Sequence, residues 1–177
     1  HVAQAMDFLA IGFSELGAIS ERRSHYFMKG VKSKFEPFVT KNPGVESGYM
    51  IAHVTASSLA SENKTLAHPA SVDSLSTSGG QEDLVSMAPW AGMKLLQIQQ
   101  NVRYIIAVEL IIAGAANNIA SEKIRSGKGT GIVLKILSST CNYENGDRIL
   151  SGEIESIAKV IKNGELVNAV TKQNFME

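Results

Sequence analysis

The stretch from Val102 to Ala116 sets the tightest limit on how this chain can fold. Read at the helical period, its Val, Ile, Leu and Ala residues fall on every side rather than on one. A helix of that kind belongs in the middle of a large helical body, because each of its faces needs an apolar neighbour. Arg103 and Glu109 interrupt the run, which falls short of the ~18 uninterrupted apolar residues of a membrane span. A membrane partner is therefore not expected. A chain of 177 residues has little with which to surround such a helix. The expectation is burial by partner helices from outside the chain.

Composition supports that reading. Hydrophobic residues make up 44% and aromatics only 6%, so the apolar content is aliphatic and rich in Ala, as in closely packed helices. Charged residues make up 19%, below the roughly 25% usual for soluble domains. Seventeen Lys and Arg balance seventeen Asp and Glu, and no dense basic run occurs. Nucleic-acid binding, which needs excess positive charge to meet phosphates, is not expected. The single cysteine, Cys141, cannot form an internal disulfide, which points to a reducing, cytoplasmic compartment.

The spacing predicts a first helix over residues 2–31, with Val2, Ala5, Met6, Leu9 and Phe13 on one face. No capping residue precedes it, so the start reads either as a frayed or trimmed terminus or as a chain beginning inside a helix. Pro37 and Asn42-Pro43-Gly44 mark a turn region. A second helix is expected over 47–67, with small residues on one face. Residues 68–80 are rich in Ser, Gly and Thr and read as a long loop, a usual place for function. Ser78 followed by Gln81 fits a capping box, which predicts a third helix over 81–123, kinked at Pro89. Gly127-Lys-Gly-Thr-Gly131 reads as a flexible loop, since it lacks phosphate-loop spacing and follows no strand. Short helices are expected over 132–139 and from a Ser151 cap to Asn163-Gly164, with a weak one in the tail. The fold class is all-α, a bundle of long helices, with residues 1–123 as core and 124–177 as a helical extension.

Candidate chemistry is sparse. His1, His25, His53 and His68 show no metal-ligand spacing, so no metal is expected. Gly44 to Gly48 is not a nucleophile elbow. Arg22 and Arg23 read as ion-paired or snorkelling side chains. Glu82 and Asp83 would lie in the first turn of the third helix. There they either serve the helix dipole alone, or one of them handles a proton or an amine beside two flexible glycines.

Several motifs in order sharpen this. His68-Pro-Ala-Ser-Val-Asp-Ser-Leu75 and Thr77-Ser-Gly-Gly-Gln-Glu-Asp-Leu-Val-Ser-Met87 resemble the histidine ammonia-lyase family. So do Ser20-Glu-Arg-Arg23, Pro43-Gly-Val-Glu-Ser-Gly48, Ala60-Ser-Glu-Asn-Lys64, Ala107-Val-Glu-Leu110 and Asp147 to Glu155. The resemblance covers essentially the whole chain. It implies a mostly helical homotetramer that eliminates ammonia from histidine to give urocanate, with active sites shared among subunits. It implies a methylidene-imidazolone (MIO) electrophile made from an internal Ala-Ser-Gly. It also implies that Glu82 is a catalytic and substrate-binding residue, with Gln81 as a neighbouring substrate-binding candidate.

No Ala-Ser-Gly occurs here, so the resemblance is to the C-terminal part alone. The implied partner is the N-terminal part of the same enzyme, without which the chain is expected to be inactive. Leu84 stands where the family commonly carries His, which leaves a tyrosine or phenylalanine lyase, or an aminomutase, open. A non-catalytic helical assembly module is the alternative of another class.

Overall fold

A computed structural model describes residues 1–31, 34–121, 125–144 and 146–174. The described chain is helical: α1 is Val2–Met28, α2 Met50–Leu66, α3 Ala88–Ile119, α4 Lys128–Thr140, α5 Ser151–Lys162 and α6 Glu165–Asn174. Among the described residues, β pairing is confined to the isolated bridges Val31–Phe35, Pro43–Glu46 and Thr77–Glu82. The class is all-α, as the periodicity predicts. Contacts group the chain into two units, His1–Ile19 with Ser58–Val102, and Ser20–Ser57 with Arg103–Glu177. The boundary expected between residues 123 and 124 falls outside the described residues, and the third helix, expected to run to 123, ends at Ile119.

The buried stripe of α1 is Ala3, Asp7, Ala10, Ser14, Gly17, Glu21, Ser24 and Met28. These recur alternately at four and three residues, as one helix face should. The stripe is small and polar. The apolar face read from the sequence points elsewhere, since Val2, Ala5 and Leu9 are exposed and Met6 and Phe13 half-buried. Small residues also form the buried face of α2, namely Ala52, Ala56 and Ala60. They let neighbouring backbones approach closely.

In the first unit Ala3, Ala70 and Ala91 form a small core, with Met6, Met87 and Ala88 packed against it. Asn101 Nδ2 donates to Asn63 Oδ1 and Glu62 Oε2, both at 2.9 Å, tying α3 to α2. Exposed apolar side chains remain on this unit: Phe8, Leu9, Leu16 and Ile19 on α1, and Trp90, Met93 and Leu96 on α3.

The second unit holds the apolar half of α3. Ile105, Val108, Ile111 and Ile112 are buried, with Leu137 of α4 and Ile157 of α5. No residue from 101 to 116 is exposed. The expectation that this segment needs outside helices to cover it is therefore not met. The chain covers it, and exposed apolar side chains remain elsewhere on both units, among them Phe8 and Leu96 on the first and Ile51 and Val54 on the second. Both α1 and α3 are long and apolar enough to cross a membrane by length and composition, a test that the core helix of a soluble protein also passes.

The first helix, expected to run to 31, stops at Met28, and the second, expected from 47, starts at Met50. The third helix begins at Ala88 and not at Gln81. Pro89 explains this, because it lacks an N–H and crowds the preceding turn, so it suits a helix's first turn and not its interior. Residues 81–87 are consequently non-helical, and no interior kink at Pro89 is needed. The segment Gly127 to Gly131, read as a loop, is the start of α4, with Gly131 N–H bonded to Gly127 C=O at 2.8 Å. Of its glycines, Gly129 lies against α6, where a Cβ would stand 3.4 Å from Val170. Finally, Leu150 and not Ser151 occupies the N-cap of α5. The stop at Asn163-Gly164 is as predicted, with Gly164 at φ +70°.

Candidate functional site

The loop between α2 and α3 carries the candidate residues. A 3-10 turn, Ser78–Gly80, sits at its tip, and Ser78, Gly79 and Gly80 all have positive φ. A right-handed helix cannot pass through three such residues. The capping-box pattern is therefore not realised, and Thr77, at the N-cap, makes no side-chain cap bond. The chain instead folds back on itself. Thr77 N–H donates to Glu82 C=O at 3.0 Å, and Glu82 N–H to Thr77 C=O at 3.4 Å. Below this, Ser74 Oγ accepts from Val85 N–H at 3.0 Å.

Glu82 is thus not in a helix's first turn, and the helix dipole cannot be what it serves. Its exposed carboxylate accepts a hydrogen bond from Thr77 Oγ1 at 3.3 Å. Gln81 is exposed beside it, closing the 3-10 turn with its N–H on Ser78 C=O. Leu84 and Leu75 are exposed on the same loop. The structure brings Gln81, Glu82 and Leu84 together at a projecting tip.

The root of the loop is built differently. Asp7 of α1 is buried, and its carboxylate accepts from Ala70 N–H at 3.1 Å and Ser71 N–H at 2.8 Å. The buried Lys94 of α3 lies 3.9 Å from it and donates to His68 C=O. Burial alone would raise the Asp7 carboxyl, but the Ser71 and Ala70 donors and the Lys94 charge hold it below the ordinary carboxylate value. Sequence reasoning missed Asp7. The available signal was an acid on the stripe Ala3, Asp7, Ala10, Ser14, where solvent is excluded.

The motifs at 20–23, 43–48, 107–110 and 147–155 pair within the second unit. Glu109 of α3 accepts from Ser20 Oγ at 2.6 Å and from both Nε and Nη2 of Arg23, joining two motifs far apart in sequence. Glu21 accepts from Arg22 in bidentate fashion and from Ser57 Oγ at 2.7 Å, and lies 2.9 Å from His53 Nε2. Burial opposes its charge, yet the Arg22, Ser57 and His53 bonds bring its pKa down to about 2. The ion-paired reading of Arg22 and Arg23 holds. Asp147 accepts from Ser47 and Gly48 N–H groups, both at 2.8 Å, so Pro43–Gly48 and the Asp147 motif meet. Arg148 binds Glu153 at 2.8 and 2.9 Å and stands over the Tyr49 ring. Among the described residues no group of His, Cys, Asp and Glu could hold a metal ion.

These geometries frame the comparisons with known proteins. The profile of the aromatic amino acid lyase family matches residues 1–139. A histidine ammonia-lyase of Burkholderia cenocepacia is 47% identical over 160 residues, which is 90% of this chain and 31% of that protein. The structure of histidine ammonia-lyase from Trypanosoma cruzi superposes with a TM-score of 0.89 at 39% identity, over 96% of this chain and 33% of that one. Tyrosine aminomutase from Streptomyces globisporus superposes with a TM-score of 0.88 at 27% identity, over 96% of this chain and 32% of that one. The chain belongs to the aromatic amino acid lyase family. It spans about a third of the length of the curated relatives it matches.

Proposed function

We propose that this chain is the C-terminal segment of a cytoplasmic ammonia-lyase that eliminates ammonia from L-histidine to give urocanate. The observation that carries this is identity: 47% with a histidine ammonia-lyase, against 27% with a tyrosine aminomutase over a comparable span. The N-terminal part of the same enzyme is its partner. The exposed apolar residues of α1 and α3 support assembly into a tetramer, since surfaces of that kind are covered in stable proteins.

The electrophile implied for the family is the methylidene-imidazolone closed from Ala-Ser-Gly. This sequence contains no Ala-Ser-Gly. What it offers is an exposed carboxylate at the tip of a loop. That donor set suits a place beside the group and not the forming of it. When bound, the group supplies the electrophile that turns the substrate's amine into a leaving group. Glu82 binds the substrate's ammonium and side chain and carries a proton there, with Thr77 Oγ1 orienting the carboxylate and Gln81 flanking it. Leu84, in place of the usual His, favours an aromatic substrate as the second reading.

The test is the full-length enzyme assayed for urocanate by absorbance, with tyrosine and phenylalanine as competing substrates. Glu82→Gln is expected to lower kcat about 10²- to 10⁴-fold, the usual size of general acid–base assistance. Full activity in that variant would end the assignment. Turnover of tyrosine in preference to histidine would select the second reading.

A further inference from the structure

We infer that Asp7 and Lys94 are positioning residues for Glu82: from two different helices they clamp the backbone of residues 68–71 and so set the root of the loop that carries the carboxylate. The inference rests on the role proposed for Glu82. The carboxylate of Asp7 takes two successive backbone donors, Ala70 and Ser71, and Lys94 takes the carbonyl of His68. Both side chains are buried, at 5% and 6% exposure, so water does not compete for these bonds.

Within this chain, the loop beyond the clamp has little else to hold it. No residue from 71 to 86 is buried. Its internal bonds, Ser74 to Val85 and Thr77 to Glu82, close the loop on itself without fastening it to a helix. Its far root re-enters the small Ala3, Ala70 and Ala91 core at Met87 and Ala88. What this chain itself contributes to placing Glu82 is therefore decided at the two roots. A catalytic group displaced by an ångström loses on the order of 10²-fold in rate.

The buried charges also explain why both partners are needed. Removing one leaves the other unpaired in a dry site, which costs far more than removing both. Asp7→Asn keeps the shape and one acceptor but gives up the charge. Asp7→Asn combined with Lys94→Met removes both charges and serves where the single variant does not fold.

The experiment uses the full-length enzyme, with kcat and KM for Asp7→Asn, Asp7→Asn/Lys94→Met, Glu82→Gln and Asp7→Asn/Glu82→Gln. Melting temperature and elution volume monitor the fold and the assembly. The expected result is a kcat lowered about 10- to 100-fold in the Asp7 variants, with KM changed little and assembly intact. In the Glu82→Gln background the Asp7 substitution should add no further loss, because the group it positions is gone. Wild-type kcat in the Asp7 variants, or losses that multiply with Glu82→Gln, would overturn the inference while leaving the role of Glu82 standing. Wild-type kcat in Glu82→Gln would instead remove that role, and the inference with it.

Discussion

Replacing Gly48 by Ala should cost this protein more than replacement at any exposed helix glycine. Gly48 sits at φ +56°, where a side chain costs roughly 1–2 kcal/mol. A Cβ built there would lie 2.4 Å from the backbone oxygen of Phe38. Neither side can give way cheaply. The Phe38 carbonyl is held by Tyr49 N–H at 3.0 Å, and Gly48 N–H is held by Asp147 at 2.8 Å. Overpacking of that kind costs about 1–3 kcal/mol. Together the two effects amount to about 2–5 kcal/mol. The shift per kcal/mol falls with chain length, and for a full-length enzyme about three times as long as this chain it is roughly 1 °C, so Tm should fall about 2–5 °C. The control is Gly152→Ala in α5, where a Cβ meets nothing within 4 Å and the backbone is helical. It should stabilise by about 0.5–1 kcal/mol through the unfolded chain. Both are read by scanning fluorimetry on the full-length enzyme. A Gly48→Ala protein that melts with the wild type would refute the reasoning, because it would mean that the Phe38 turn yields freely.

Two further outcomes follow from the structure. Glu21 has a folded pKa of about 2 against an ordinary 4.5, so its contribution is present above pH 4.5 and is lost as the pH falls towards 2. That difference is worth about 3 kcal/mol, and Glu21→Gln should flatten the fall in denaturation midpoint between pH 5 and pH 3 (about where carboxylates titrate). An unchanged acid limb would refute it. Leu9→Glu and Leu96→Glu, on the exposed apolar surfaces of α1 and α3, should each weaken assembly. A buried Leu contributes about 2 kcal/mol, so each change should lower the association constant roughly 30-fold. Light scattering of the full-length enzyme measures this, and an unaltered mass at low concentration would show that these residues are not the covered surface.

The helical class, the loop over residues 68–80, the stop at Asn163-Gly164 and the order of the family motifs are legible in the residues alone. Each is written locally, in hydrophobic period, in glycine and serine content, or in a run of adjacent residues. Tertiary structure decided what lies far apart in sequence. Glu109 meets Ser20 and Arg23, Asp147 meets Ser47 and Gly48, and Asp7 meets residues 70 and 71. No period or spacing contains those pairings. Structure also overruled two local patterns. The capping box at Ser78 gave way to three positive φ angles and to Pro89, which fits a helix only at its start. The apolar stripe from Val2 to Phe13 proved to be largely the outward side of α1, because a small, polar face packs closer and pairs Asp7 and Glu21 with partners. Burial is a property of neighbours, and a helix does not carry in its own sequence the list of what will lie against it.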